Sequence, residues 1–278
     1  MCKSVLIPNR ACLFLTMKFN WEKKVVLVTG SCRGLGLEIA KQLLDLNARV
    51  VFHSRETPLP NDPGINNAFV SNRAIYLQAD IRNAMEVERL VSLTIDKFER
   101  LDVVINNAGI SAFGSMEQVE LSIFKEVLDT NLLGSVHISK ATIPALKNSQ
   151  GSIFFMSSLA GFYGLPGYIS YSMSKSSLKL LHEGLRLELS NYGIHVGIIH
   201  LGFVANDSVK YALDAGGTKI PVPSRYKWMV CSKSFVTRSI LKSIRHNKRE
   251  VFIPKVGFWF KILVFLFPKG FHRIVNRN

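Results

Sequence analysis

The sequence predicts an α/β protein: a doubly wound, mainly parallel seven-stranded sheet with helices on both faces. Three observations carry this expectation. Short β-branched apolar runs alternate with longer segments whose apolar residues recur at helical spacing. The first such run, "VVLVTG", leads directly into a glycine-rich turn and a helix. The chain has 278 residues, 47% of them hydrophobic, and no Ser/Gly-rich linker divides it, so one large core is expected.

Taken in order, strands are expected near 25–30, 49–54, 74–79, 102–106, 151–157, 195–200 and 250–253, and helices near 35–47, 84–99, 118–147, 170–191 and 233–246. Asn83 followed by Glu86 gives the second helix a capping-box start. Asn131 and Gly134 fall inside the long third helix and predict a kink there. The stretch "ETPLPNDPGINN" holds three prolines and a glycine, so a loop is expected between the second and third strands. Residues 1–24 read as an N-terminal extension, with Met17 opening "MKFNWEKKVVLVTG" and residues 1–16 dispensable. Residues 25–255 read as a single catalytic domain, and residues 256–278 as an apolar, basic tail.

Cysteines at 2, 12, 32 and 231 have neither metal-ligand spacing nor the look of a disulfide framework. No metal site is expected, and a reducing, cytoplasmic setting fits. The formal charge of +15 is uneven: from Lys233 onward there are eleven Lys/Arg and one acidic residue, Glu250. Such a bias invites an anionic partner near the carboxyl terminus, but no nucleic-acid-binding motif accompanies it, so no specific nucleic acid is expected.

The chemistry is carried by Ser158, Tyr171 and Lys175. The last two lie in "YSMSK", where a four-residue separation on a helix stacks them on one face. A phenol has an ordinary pKa of about 10 and exchanges protons poorly near neutrality. A neighbouring ammonium is expected to favour the phenolate and lower that pKa. Ser158 is then placed to hydrogen-bond a carbonyl or alcohol oxygen while Tyr171 exchanges a proton with it. The hydride comes from elsewhere, and "TGSCRGLG" points to its source. Gly30, Gly34 and Gly36 allow a tight turn, close approach of a pyrophosphate and packing of the helix on the sheet, with the phosphates at the positive helix end.

Together, "TGSCRGLG", "NNAG" at 106–109, Asn131, Ser158 and "YSMSK" resemble the short-chain dehydrogenase/reductase family in its compact form, from about Val25 to at least Gly202. The resemblance implies a Rossmann-type domain whose cofactor contacts include Gly30, Arg33, Gly34, Leu35 and Gly36. It further implies that Asp80 and Ile81 border adenine and that Asn107, Ala108 and Gly109 line the middle of the cleft. Lys175 would hold the nicotinamide ribose beside Tyr171, and Asn131 would complete a catalytic tetrad by holding a helix distortion and a water. Where NAD enzymes carry an acidic residue after the second strand, this chain has "HSR". Arg55, with Arg33 in the glycine turn, is expected to pair with a ribose 2′-phosphate, which favours NADP(H). His53 is read as local packing.

The family's Pro-Gly and following Thr are replaced by "LGFVANDS". Gly202 is retained and Val204 still offers backbone groups, but Asn206 stands in the threonine position. The segment from about Phe203 to Tyr226 is expected to form much of the substrate lid and, with Tyr211, Leu213, Ile220, Val222 and Tyr226, suggests a small hydrophobic substrate. In the tail, the apolar core from Val256 to Phe267 is about 18 Å as a helix, too short for a bilayer core of about 30 Å. It is read as an anchor on an anionic membrane surface, with cover for the protein's own core or an oligomer interface as the alternative. Homodimers or homotetramers are common in the family. The expected function is NADP(H)-dependent interconversion of a carbonyl and an alcohol. The competing reading is a dinucleotide-sensing membrane or nucleic-acid-binding protein that retains the fold.

Overall fold

A computed structural model describes residues 19–205, 211–222 and 229–270. The expected dispensable segment 1–16, Asn206, Tyr226 and the last eight residues of the tail lie outside the described residues.

Seven strands form one sheet: β1 (Val25–Val28), β2 (Arg49–Ser54), β3 (Ala74–Gln78), β4 (Val103–Asn106), β5 (Ser152–Ser158), β6 (His195–Leu201) and β11 (Glu250–Ile253). Their order is β11-β6-β5-β4-β1-β2-β3, and every pairing is parallel. Parallel pairing buries both faces, which is why β1 and β4 are buried at every residue. The period of two sorts their side chains. Val26 and Val28 face one core layer with helices α1 (Gly34–Asp45) and α7 (Lys233–Arg245), while Val25 and Leu27 face the other with α3 (Ala84–Phe98) and α6 (Ile169–Leu189). Phe52, Phe154 and Phe155 are fully buried; each such ring contributes on the order of 2–3 kcal/mol.

The chain leaves β1 toward β2 and β3 on one side and returns to β4 on the other, so the strand order reverses between β1 and β4. In open α/β sheets that reversal opens a crevice at the carboxyl ends of the strands.

Four sequence expectations are corrected. The proline-rich stretch contains a helix, α2 (Pro63–Val70), because Pro63 occupies its first turn, where no amide partner is needed, and the Asp62 carboxylate accepts from Gly64 N and Ile65 N. The expected N-terminal extension reaches too far: Trp21 is buried in the core with Phe19 edge-on at 4.9 Å, so both join the core ahead of β1. The long third helix is two helices, α4 (Leu121–Leu128) and α5 (Gly134–Ser149), separated by a π-helical turn over Asp129–Leu133. Asn83 caps α3 by accepting from Met85 N. Glu86, however, reaches back to Asp80 N and the Asn83 side chain, not to the Asn83 amide.

Beyond β6 lie two small sheets: β7 (Phe203–Val204) with β10 (Val230–Cys231), and the antiparallel hairpin β8 (Tyr211–Leu213) with β9 (Lys219–Pro221). The tail continues as α8 (Gly257–Leu266).

Candidate active site

The end of β5 and the first turns of α6 bring Ser158, Tyr171 and Lys175 together. Ser158 closes β5; its hydroxyl accepts from Ala160 N at 3.2 Å, lies 3.4 Å from Leu201 O and meets the Tyr171 phenol. Tyr171 and Lys175 stand one turn apart on α6, and Lys175 Nζ is 5.8 Å from the Tyr171 ring centre. Lys175, only 6% exposed, donates to Met156 O at 3.0 Å. Ser157 Oγ donates to Lys175 O and so pins α6 to β5.

The expectation that Lys175 lowers the Tyr171 pKa does not describe this arrangement. Burial pushes the phenol up, and the Ser158 hydrogen bond is what opposes it. The ammonium donates to the Met156 carbonyl at 3.0 Å.

Asn131 lies at the middle of the π-helical turn and is fully buried. Its Oδ1 accepts from Ile110 N at 2.8 Å, and its Nδ2 donates to Ile110 O and Ser174 Oγ, both at 2.9 Å. One side chain thus ties the loop after β4 to α6, and the helix distortion presents it inward. A Cβ on Gly109 would lie 3.0 Å from Asn131 Oδ1 and 3.3 Å from Lys175 Nζ, so the glycine lets the loop pass this pair.

Across the crevice, Gly30 and Gly34 have φ of 63° and 61°, where a Cβ is strained. A Cβ on Gly36 would fall 2.2 Å from Gly30 O and 2.5 Å from Asn107 Nδ2. Asn107 in turn donates to the carbonyls of Thr29 and Gly30, and Thr29 Oγ1 accepts from the amides of Asn107 and Ala108. The turn is therefore tied to the end of β4. Helix α1 opens with Leu35 in its first turn, no side-chain cap at Arg33 and no acidic residue, which leaves its amino end suited to an anion. These features fit a dinucleotide pyrophosphate.

His53 buttresses the turn. It is 2% exposed; Nδ1 lies 3.1 Å from Gly30 N and Nε2 lies 3.0 Å from Ala79 O. The ring is thus a neutral tautomer, accepting at Nδ1 and donating at Nε2, and burial holds its pKa down at about 4.

The two arginines part company. Arg55 is held by Glu56 at 2.8 Å and Glu126 at 3.5 Å. Arg33 lies against the hairpin beyond β6: its Nη2 donates to Tyr211 OH at 3.3 Å and its Cζ sits 4.8 Å from the ring centre. Lys219 Nζ approaches the same ring at 4.7 Å. Burial alone would raise the Tyr211 pKa, but Arg33 and Lys219 together lower it. Lys219 had no signal in the sequence, and Tyr211 is expected there only in the substrate lid, because only the hairpin brings residues so distant along the chain beside Arg33. The hairpin is anchored there by Leu213 N to Ser111 O and Phe113 N to Leu213 O.

Asp80 is turned toward Arg82; burial opposes its charge, yet the guanidinium keeps its pKa below the usual range. Ile81, buried under Gly134, fixes the path of α5 over the end of β3: a Cβ on Gly134 would come within 2.6 Å of it. Gly202 donates to Ile253 O, and Val204 pairs with Cys231 in the small sheet.

Comparison with known proteins agrees with this architecture. The short chain dehydrogenase family matches residues 24–215. The chain is 34% identical over 186 residues to the 3-oxoacyl-[acyl-carrier-protein] reductase of Synechocystis sp., covering 66% of this chain and 75% of that protein. It is 30% identical over 251 residues to 11-beta-hydroxysteroid dehydrogenase 1A of Arabidopsis thaliana, covering 87% and 71%. A short chain dehydrogenase from Burkholderia cenocepacia, solved in complex with NADP, shares the fold at a TM-score of 0.74 and 23% identity over 92% of this chain and 98% of that one. The NADH-dependent reductase A1-R′, responsible for alginate metabolism, superposes with a TM-score of 0.61 at 28% identity, covering 66% and 78%. With the parallel sheet, the glycine turn and the Ser158, Tyr171 and Lys175 cluster around one crevice, these matches establish that the chain belongs to the short-chain dehydrogenase/reductase family of oxidoreductases.

Proposed function

We propose that the protein is an NADP(H)-dependent oxidoreductase that interconverts a carbonyl and an alcohol on a small hydrophobic or lipid-derived substrate. The observation that carries this is the meeting of Ser158 and Tyr171 at the carboxyl end of β5, with Lys175 one turn along α6 and the glycine turn across the crevice.

The cofactor would be held by Gly30, Arg33, Gly34, Leu35 and Gly36 at the glycine turn, by Asp80 and Ile81 after β3, and by Asn107, Ala108 and Gly109 after β4. Gly202 and Val204 would add backbone contacts beyond β6, and Lys175 would hold the ribose beside Tyr171. When bound, the dinucleotide supplies or accepts the hydride at the substrate carbon. In the reductive direction Tyr171 gives its proton to the substrate oxygen, and Ser158 donates a hydrogen bond to the same oxygen as negative charge develops there. The raised pKa keeps the phenol protonated, as a donor must be, at a cost in acidity. In the oxidative direction Tyr171 must lose that proton, and an ammonium moved toward the phenolic oxygen is the means this chain has to favour it. Asn131 positions Lys175 and the loop after β4 by clamping Ile110 and Ser174.

The NADP(H) preference rests on cations. Arg33 and Lys219 converge on the Tyr211 ring, and among the described residues neither forms an ion pair with a carboxylate, so a 2′-phosphate complements them. Arg55 joins them only by exchanging Glu56 and Glu126 for the phosphate. Support for a membrane setting comes from α8, described below.

The test is oxidation of NADPH and NADH by the purified protein with a panel of lipid-like and small ketones, beside Tyr171→Phe. NADPH oxidation that falls about 10²- to 10⁴-fold in the variant, with NADPH binding intact, is expected. Tight NADPH binding with no turnover on any carbonyl would instead favour a dinucleotide sensor.

A further inference from the structure

Helix α8 is apolar on nearly all sides, which for a helix of a globular protein implies burial. Yet only one stripe is covered. Gly257 rests on Leu159, where a Cβ would come within 2.8 Å of Leu159 Cδ2, and Phe258 meets Phe252 edge-on at 5.7 Å. Lys261, the one charged residue within α8, turns inward: it pairs with Glu250 at 3.2 Å and lies 5.5 Å from the ring centres of Phe162 and Phe252. Glu250 also holds His200 at 3.1 Å. The helix is thereby latched in one orientation on the end of the sheet.

The opposite stripe has no cover. Trp259 is 66% exposed, Leu263 41% and Leu266 58%, with Val256 and Phe267 exposed at either end; Phe265, one turn on from Lys261 along the same side, is itself 82% exposed. Lys255 and Lys269, both exposed, flank this patch. The only carboxylate from Lys233 to the end of the chain is Glu250, and it is engaged beneath the helix. A large apolar patch with a wholly basic rim needs an occupant that offers both apolar cover and negative charge. A second copy placed symmetrically would set Lys255 and Lys269 among the same basic residues of its neighbour, which opposes self-association. A bilayer carrying anionic headgroups satisfies both demands. No helix among the described residues is long and apolar enough to cross it.

We propose that the exposed face of α8 lies in the interface of an anionic lipid bilayer and that this seating turns the mouth of the active site toward the lipid. The link between helix and site is short: Leu159, on which Gly257 rests, follows Ser158 directly, and Gly202 at the end of β6 packs on Pro254 just ahead of α8. A substrate dissolved in the bilayer thus reaches Ser158 and Tyr171 from the side on which the protein is docked. This deepens the carbonyl–alcohol reading above and rests on it for the substrate, though not for the docking.

The experiment uses the full chain with phosphatidylcholine vesicles, with and without about 30% phosphatidylserine, followed by co-sedimentation. The variants are Trp259→Glu with Phe265→Glu, and Lys255→Glu with Lys269→Glu; none of these residues touches the site. Wild type is expected to partition at least tenfold more strongly onto the anionic vesicles. Each double variant should lose at least tenfold of that binding while keeping its melting temperature, its NADPH affinity and its turnover of a small water-soluble ketone. Turnover of a vesicle-borne ketone should fall with the binding. Equal binding by wild type and variants, or no binding to phosphatidylserine vesicles, overturns the proposal. So does a wild-type oligomer that the apolar variant converts to monomer without any change in vesicle binding. Vesicle binding that obeys the variants, with no carbonyl reduced anywhere, supports the docking and removes the oxidoreductase reading instead.

Discussion

Acidification tests the buttress beneath the glycine turn. His53 is neutral and buried, with its pKa lowered from 6.5 to about 4, because burial penalises the imidazolium more than the Ala79 carbonyl and the Asp80 charge favour it; Nδ1 accepts from Gly30 N. In the unfolded chain the ring titrates normally. As pH falls below the unfolded value the unfolded chain takes up the proton first, so stability is present above about pH 6.5, declines below it and levels off under the folded value. Between about pH 7.5 and pH 5 this one ring accounts for ~2 kcal/mol of lost stability. His182, also held at about 4, adds a decline of the same sign, so the total does not isolate His53. His53→Gln does, because a glutamine offers one donor and one acceptor and does not titrate. Urea unfolding of both proteins at the two pH values should show the wild type losing ~2 kcal/mol more than the variant. Equal losses would refute the assignment of His53 as a neutral prop. Dinucleotide affinity of the folded protein should hold through that range and fall only as pH approaches the folded value near 4, since the Gly30 amide is what the neutral ring holds.

Replacing Lys219 with Met should weaken binding of 2′,5′-ADP by about three- to tenfold and leave 5′-AMP unchanged in titration calorimetry; equal effects on both would remove Lys219 from the 2′-phosphate. Gly36→Ala drives a methyl group to 2.2 Å from Gly30 O, so a fall in stability of about 1–3 kcal/mol and loss of dinucleotide binding are expected in thermal melts and fluorescence titration. Asn131→Ala leaves the Ile110 amide and carbonyl without their partner and should cost about 2–4 kcal/mol. If Asn131 also positions Lys175, the acidic limb of the oxidative pH–rate profile will move, which simple loss of stability would not cause.

The seven strands stand within a residue or two of where apolar runs place them, because strands buried on both faces advertise themselves as unbroken Val, Ile and Phe segments. The glycine turn and the Ser158, Tyr171 and Lys175 set were legible for a related reason: each lies within a local element whose geometry depends on neighbours a few residues away. Helix α2 is masked in the sequence by the three prolines around it, although Pro63 behind Asp62 marks a helix start. The π-helical turn was visible only as a kink at Asn131. Its register depends on Ile110 and Ser174, 21 and 43 residues away along the chain.

Local order therefore carried the fold class, the strand sequence and the residue types of the site. Tertiary packing decided the rest. It divided two arginines of similar sequence standing into one held by Glu56 and Glu126 and one facing Tyr211. It turned Lys175 toward Met156 O, and it laid α8 against Leu159 with Trp259 and Phe265 facing outward. The physical reason is one of range: backbone propensity and hydrophobic period act over a few residues, whereas a side chain's charge partner and exposure are set by whichever distant segment the fold brings beside it.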